Sequence, residues 1–129
     1  MPLTAETQDR GPGKAPLVRL SGELDTAGIP VAQKSIRAAM ASKPRALVFD
    51  LAGLKFLNST GYGLLVSARK HLEQHGGACF FTNLSPSIRQ VFEIMQALPA
   101  QHVFQSVAEL DAYLASVQDK VADGDLEIP

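Results

Sequence analysis

The chain has 129 residues and 46% of them are hydrophobic, which suits a single domain with a substantial core. The formal net charge of −1 argues against a surface that binds nucleic acid or an anionic membrane through bulk electrostatics. No apolar run is long enough to span a bilayer, and residues 1–16 lack the apolar segment of a secretory signal. Cys79 is the only cysteine, so an internal disulfide is excluded and a cytoplasmic location is expected.

The first half of the chain predicts a weak edge strand, a full strand, a helix and a central strand. We expect the strand over residues 17–20 to end at Ser21-Gly22. Asp25 and Thr26 are typical of helix starts, and Pro30 is compatible only with a first helical turn. The next run is apolar except for Asp50, as in a strand covered on both faces. We predict strands over 3–8, 17–20 and 46–51, and a helix from residue 25 to about residue 42.

The second half of the chain predicts alternating helices and short strands. Apolar positions from Leu64 onward repeat with helical spacing until His75-Gly76-Gly77 ends the pattern. Ser85-Pro86 is typical of an N-cap followed by proline at the first helical position, and residues 106–109 match a capping box. We predict strands over 78–82 and 102–104, and helices over 61–75, 86–95 and 107–119.

Strands and helices alternate regularly, which implies a sheet with substantial parallel pairing and right-handed crossovers. We therefore expect an α/β fold that consists of one domain over residues 15–118. The segment 1–14 is expected to be either flexible or a weak edge strand. The segment 119–129 is acidic and has little to bury, so we expect a disordered tail there.

A short polar segment after the central strand carries the strongest functional signal. Asn58, Ser59 and Thr60 stand between an apolar run and a helix whose first turns contain Gly61 and Gly63. One interpretation is a helix cap, for which Ser, Thr and Asn are the usual residues. The other is a modification site, because a phosphate there would face free backbone N–H groups and the positive end of the helix dipole. One hydroxyl suffices for a cap, and the glycines suit the close approach of another group.

A second polar segment, Gly22–Asp25, follows the first full strand. It is either a loop with a helix cap at Asp25 or an exposed loop that offers carboxylates to a partner.

An enzyme is less favoured, because Ser59 lacks the frame of a nucleophile elbow. His71 and His75 have the spacing of a metal-binding pair but lack the accompanying glutamate and a third ligand. The sequence therefore favours a binding module, with no metal and no cofactor, over an enzyme.

Several motifs, in order and spacing, resemble the STAS domain of bacterial anti-sigma factor antagonists over about residues 15–118. The segments that carry the resemblance are Gly22–Asp25, Asp50–Gly63, Gly76-Gly77, Leu84–Pro86 and Val91-Phe92. The resemblance implies a small mixed β-sheet with about four helices packed mainly on one face. It also implies a partner, an anti-sigma factor that is at the same time a serine kinase, and a phosphatase that reverses its action.

In the family's partner-switching scheme, the unmodified antagonist sequesters the kinase and frees the sigma factor, and phosphorylation breaks that complex. The position that matches the family's phosphorylated serine is Ser59, and Thr60 is the less favoured acceptor. The resemblance implies partner contacts by Gly22, Glu23, Asp25, Asn58, Ser59, Thr60, Gly61, Tyr62 and Gly63.

Asn58 departs from the family pattern, because antagonists usually have aspartate at this position. An amide keeps most of the hydrogen bonding of a carboxylate but removes its charge. The departure keeps a second function open, in which the chain is an interaction subunit of a signalling complex or of lipid-transport machinery and Ser59 is not phosphorylated.

Overall fold

A computed structural model describes residues 1–11 and 14–122 of the chain. Within these residues, five strands and four α-helices follow one another in the predicted order. They are β1 (Thr4–Gln8), β2 (Leu17–Leu24), α1 (Ile29–Met40), β3 (Ala46–Leu57), α2 (Ser59–Gln74), β4 (Ala78–Thr82), α3 (Pro86–Met95), β5 (Val103–Phe104) and α4 (Val107–Ala122).

The strands form one mixed sheet in the order β1-β2-β3-β4-β5. β1 is antiparallel to β2, and the other three pairings are parallel. The mixed sheet that the resemblance implied is therefore confirmed. Because β2 and β3 are parallel and Leu24 pairs with Leu57, the carboxyl ends of these two strands lie side by side. Asp25 and Asn58, which follow the two strands directly, stand at this same edge of the sheet.

The helices cover the two faces of the sheet unequally. α1, α2 and α3 pack on one face over the larger core, in which the rings of Phe49 and Phe81 stack with their centroids 5.4 Å apart. α4 packs on the opposite face, where Leu110 contacts a smaller apolar cluster formed by Leu17, Val48 and Phe80. The expectation that the helices pack mainly on one face is thus confirmed.

β3 is longer than predicted and continues to Leu57. Two shifts of its register against β2 each insert one extra residue into β3. As a result Leu51, Leu54 and Leu57, which are three residues apart, all face the larger core. The predicted strand end at residue 51 is wrong, because bulges break the two-residue alternation by which a strand is recognised.

β2 also extends further than predicted, so that Gly22, Glu23 and Leu24 belong to the strand and not to an exposed loop. Gly22 has a φ of +95°, and a Cβ at this position would come 2.5 Å from the carbonyl oxygen of Pro2, so glycine is required. The predicted helix start at Asp25 is a 3-10 turn, Thr26–Gly28, and α1 begins only at Ile29.

The ends of the chain differ in part from expectation. Residues 4–8 form the edge strand β1, whose partner is β2. α4 runs to Ala122, three residues beyond the predicted helix end. Residues 123–129, the rest of the segment expected to be a disordered tail, lie outside the described residues. The strand predicted over 102–104 is shorter by one residue, because His102 ends a 3-10 turn.

Candidate functional site

The candidate site lies at the carboxyl edge of the sheet, where β3 passes into α2. Asn58 is the N-cap of α2: its backbone is extended, and its Oδ1 accepts a hydrogen bond of 2.8 Å from the N–H of Gly61. The amide oxygen satisfies one of the free N–H groups of the first turn, as a carboxylate would, but without a charge.

Ser59 and Thr60 occupy the first two positions of α2, and both are exposed. Since the amide of Asn58 makes the cap hydrogen bond, capping does not account for either hydroxyl. The N–H groups of the first helical turn and the positive end of the helix dipole lie beside them. Of the two interpretations of the polar segment, the cap therefore applies to Asn58, and the hydroxyls are available for another role.

Gly61 and Gly63, both expected to allow close approach, have different surroundings. A Cβ on Gly61 would collide with the carbonyl oxygen of Leu24 and lie 2.8 Å from the Cγ of the same residue. The group that approaches Gly61 is thus the end of β2, which packs directly on the first turn of α2. Gly63 is partly exposed, and a Cβ there would meet no atom within 4 Å. Packing within the described residues does not require glycine at position 63.

Tyr62 is a core residue and not a surface residue. Its side chain is 1% exposed, its ring packs edge to face on Phe92 with centroids 5.3 Å apart, and its hydroxyl oxygen accepts a hydrogen bond of 3.1 Å from the N–H of Ala97. Gly22 and Gly61 are also buried. These three residues therefore shape the site from beneath, and that they touch a partner stays a prediction.

Glu23 and Asp25 bring carboxylates to the same edge of the sheet. Glu23 is partly exposed and pairs with the ammonium group of Met1 at 3.2 Å. Asp25 caps the 3-10 turn, because its Oδ1 accepts a hydrogen bond of 3.0 Å from the N–H of Gly28. Of the two interpretations of the segment Gly22–Asp25, the cap applies to Asp25. The exposed loop is replaced by the end of β2, where Glu23 presents a carboxylate at the surface.

Asp50 is a buried carboxylate on the face of the sheet against which α4 packs, which we call the second face. Its oxygens accept hydrogen bonds from Asn83 Nδ2 at 3.0 Å, from the N–H of Ala52 at 3.1 Å and from Arg19 Nε at 3.2 Å. Burial alone raises the pKa of Asp50, but these hydrogen bonds and the charge of Arg19 outweigh it and hold the pKa below its usual value. Because Ala52 lies in the first bulge of β3, the ionised carboxylate stabilises the path of the strand toward the site.

The remaining chemically notable side chains lie away from this edge. Cys79 is buried, and its burial raises the pKa of the thiol to about 12, so the thiol is not a reactive one. The rings of His71 and His75 lie 4.7 Å apart on an exposed part of α2. Over residues 1–11 and 14–122, no group of three or more His, Cys, Asp or Glu side chains could hold a metal ion. In the same ranges, no helix combines the length and the apolar character that crossing a membrane requires.

Phe56 is a feature of this edge that the sequence analysis did not single out. It is 48% exposed although it lies within β3, and it pairs with Glu23 across the sheet. In a regular strand Phe56 would share the core face with Leu54, and only the second bulge of β3 turns it to the other face, so the sequence period contains no signal for its exposure.

Comparison with known proteins identifies the family. Residues 6–110 match the STAS domain family. The sequence is similar to an anti-sigma F factor antagonist of Lysinibacillus sphaericus, 33% identical over 78 residues, which are 60% of this chain and 67% of that protein. The fold is similar to that of an anti-sigma factor antagonist from Mycobacterium paratuberculosis, with a TM-score of 0.74 and 23% identity over 88% of this chain and 94% of that one.

A second solved structure with this fold is the phosphorylated form of the Bacillus cell fate determinant SpoIIAA. The TM-score is 0.65, with 22% sequence identity over 92% of this chain and 99% of that one. At such identities the two structures show that the fold is shared. With most of its length matched to the family, this chain belongs to the STAS domain family.

Proposed function

We propose that this chain is an anti-sigma factor antagonist that acts by partner switching and is controlled by phosphorylation of Ser59. The unmodified chain binds an anti-sigma factor that is also a serine kinase, and thereby frees a sigma factor in the cytoplasm. In this role the chain is a binding module and catalyses no reaction. The observation that carries the proposal is that the amide of Asn58 caps α2, so that the hydroxyl of Ser59 is not needed for the cap and is exposed.

The modification is a reversible transfer of one phosphoryl group. The kinase moves the γ-phosphoryl group of ATP to Ser59 Oγ, ADP leaves, and the hydroxyl proton is released. A phosphatase later hydrolyses the ester with water and returns serine and inorganic phosphate. The phosphorylated form of the fold-related Bacillus protein supports a modification of this kind.

The start of α2 suits an added phosphate. Such a group carries a charge of about −1.5 to −2 at neutral pH. Its oxygens can accept hydrogen bonds from free N–H groups of the first helical turn, and the helix dipole favours a negative charge there. The folded domain therefore tolerates the modification.

The same charge has the opposite effect on a bound partner. At an interface the phosphate must be desolvated, or it must face carboxylates of the partner. A loss of about 3 kcal/mol in binding free energy is enough to lower the affinity about a hundredfold. A modification that leaves the fold intact can in this way dissociate the complex.

The test is phosphorylation by purified kinases. Each anti-sigma factor kinase of the source genome is incubated with ATP and with wild type, Ser59→Ala or Thr60→Ala, and the modified residue is located by mass spectrometry. We expect one kinase to modify wild type and Thr60→Ala but not Ser59→Ala. Modification that persists in Ser59→Ala would contradict the assignment.

A second candidate function is that of an interaction subunit in an assembly without a sigma factor. The observation that favours it is Asn58, whose amide fulfils the capping role without the carboxylate that antagonists usually carry beside the acceptor serine. If no anti-sigma factor from the source genome binds or modifies the chain, this second function becomes the better one.

A further inference from the structure

The second face of the sheet carries side chains in rows that the strand register defines. The first row contains Leu17 of β2 and Val48 of β3, and Leu110 of α4 covers it. The next row contains Arg19 and Asp50, which form an ion pair with Nε and Oδ2 3.2 Å apart. From this row onward the surface changes from an apolar cluster beneath a helix to polar and exposed groups.

The rows beyond the first reach the carboxyl edge of the sheet. We call them the open sheet face, which consists of Glu6, Arg19, Ser21, Glu23, Asp50, Gly53 and Phe56. Ser21 lies so close to Gly53 that a Cβ on the glycine would collide with the serine Oγ. The middle of the open sheet face therefore carries only small groups, and Phe56 is the large side chain at its carboxyl end.

Phe56 is the large apolar group of this surface. A strand residue of this size normally gains stability by burial, yet nearly half of Phe56 is exposed. It is separated from the acceptor serine by Leu57 and Asn58 alone, and it pairs with Glu23 of the neighbouring strand. The open sheet face is therefore continuous with the phosphorylation site.

We propose that the open sheet face is the surface on which the anti-sigma factor docks, with Phe56 as its apolar anchor and Ser59 at its border. This inference rests on the function proposed above. It places the partner not only at the first turn of α2 but also on the second face of the sheet of this chain. The phosphate then stands at the rim of the interface, where it meets the partner directly.

Charge on the surface defines the chemistry of the occupant. The guanidinium of Arg19 is already matched by Asp50 and, at 3.7 Å, by Glu6. Glu23 and Asp25 supply negative charge beside Phe56, and the ion pair of Glu23 with the ammonium of Met1 is exposed and therefore weak. The fitting partner segment presents an apolar side chain to Phe56 and lysine or arginine to Glu23. The part of the partner that meets Ser59 is apolar or acidic, so that a phosphate there weakens the contact. A second copy of this chain would bring the same carboxylates against Glu23 and Asp25 in a two-fold contact, which disfavours self-association.

The test compares two variants that each remove an exposed apolar side chain. Phe56→Ala acts on the open sheet face, and Ile94→Ala on α3 is the matched control, since Ile94 is 71% exposed. Affinity for each purified anti-sigma factor of the source genome is measured by calorimetry with the unphosphorylated full chain. We expect Phe56→Ala to weaken binding at least tenfold and Ile94→Ala to change it less than twofold.

Additional variants keep the result interpretable. Phe56→Leu retains an apolar anchor and is expected to recover most of the affinity that Phe56→Ala loses. Urea unfolding of each variant shows whether the domain is intact. Ser59→Asp is measured in parallel, because it tests the switch independently of the anchor.

The outcomes separate this inference from the function on which it depends. If wild type binds an anti-sigma factor and Ser59→Asp weakens that binding, while Phe56→Ala leaves it unchanged, the docking surface is wrong and the proposed function stands. If wild type binds none of the anti-sigma factors, both fail. If wild type forms a dimer that Phe56→Ala dissociates, the surface belongs to a second copy of the chain. If removal of residues 123–129 raises the affinity for the anti-sigma factor, the surface belongs to the chain's own carboxyl-terminal segment. Either result would overturn the inference.

Discussion

The carbonyl oxygen of Leu24 lies against the backbone of Gly61, so that the end of one strand packs directly on the first turn of the helix that follows the next strand. This contact leaves no room for a Cβ at position 61. It fixes the start of α2 relative to the edge of the sheet, and with it the position of the two exposed hydroxyls.

Gly61→Ala is therefore expected to destabilise the domain. The added methyl group must displace the strand end or the helix, and overpacking of this kind costs about 1–3 kcal/mol. Equilibrium unfolding in urea measures the change. An unchanged free energy of unfolding would show that the strand end can move away at no cost.

Gly63→Ala provides a contrast on the same helix. Open space surrounds this position, and alanine is about 1 kcal/mol better than glycine in a helix interior, so the variant is expected to be more stable than wild type. If a partner approaches the backbone here, the same variant binds the anti-sigma factor more weakly. Higher stability together with lower affinity would identify Gly63 as a glycine required for binding and not for folding.

Asn58→Asp is expected to stabilise α2 slightly and to raise the rate of phosphorylation. A carboxylate can accept the same hydrogen bond from Gly61, and its charge gains about 0.3–1 kcal/mol from the helix dipole. Asn58→Ala removes the cap and should cost about 1 kcal/mol. Thermal unfolding and phosphorylation kinetics at equal kinase concentration measure the two effects. A slower reaction of Asn58→Asp would show that repulsion of the incoming phosphate outweighs recognition of the carboxylate.

Ser59→Asp is expected to weaken partner binding while leaving the melting temperature nearly unchanged. The hydroxyl of Ser59 is exposed and the cap is made by Asn58, so the substitution removes no cap, and the helix start favours the new charge. Ser67→Asp, at an exposed position about two turns further along α2, is the matched control for charge. A large fall in the melting temperature of Ser59→Asp would mean that the serine is needed for folding.

The stability of the domain is expected to fall in acid through Asp50. The pKa of this group is lower in the folded chain than in the unfolded chain, so its contribution is complete above the unfolded pKa of about 4 and disappears as the pH falls through the folded pKa. Asp50→Asn should lower stability at pH 7 by about 1.5–3 kcal/mol, the value of hydrogen bonds to a charged group, and should flatten this acid-dependent loss. Urea unfolding between pH 2 and 7 measures both effects. Glu93→Gln, which removes one exposed carboxylate on α3, is the control.

The sequence predicted the order and type of every strand and α-helix in the described residues, because hydrophobic periodicity and capping residues mark them clearly. It predicted neither of the two 3-10 turns in these residues. It failed at the ends of β2 and β3. There Gly22 takes a positive φ and two bulges place core leucines three residues apart, and neither feature follows the period of a regular strand.

The candidate site was predictable in part for the same reason. Asn58, Ser59 and Thr60 stood out as polar residues at a strand–helix junction, and the structure places the two hydroxyls at the surface. The burial of Tyr62 was not predictable, because it depends on packing against Phe92, 30 residues away in the sequence. Phe56 was overlooked because its exposure depends on the second bulge of β3.

The contact between Tyr62 and Ala97 also ties the helix that carries the site to the segment after α3. The phenol of Tyr62 holds the segment that follows α3, and Arg69, two turns further along α2, donates a hydrogen bond of 3.2 Å to the carbonyl oxygen of the same Ala97. α2 is thus held at two points to one residue, Ala97. Because sliding of α2 along its axis would stretch both hydrogen bonds together, the two contacts resist such a displacement and keep the first turn of the helix, with its exposed hydroxyls, in place.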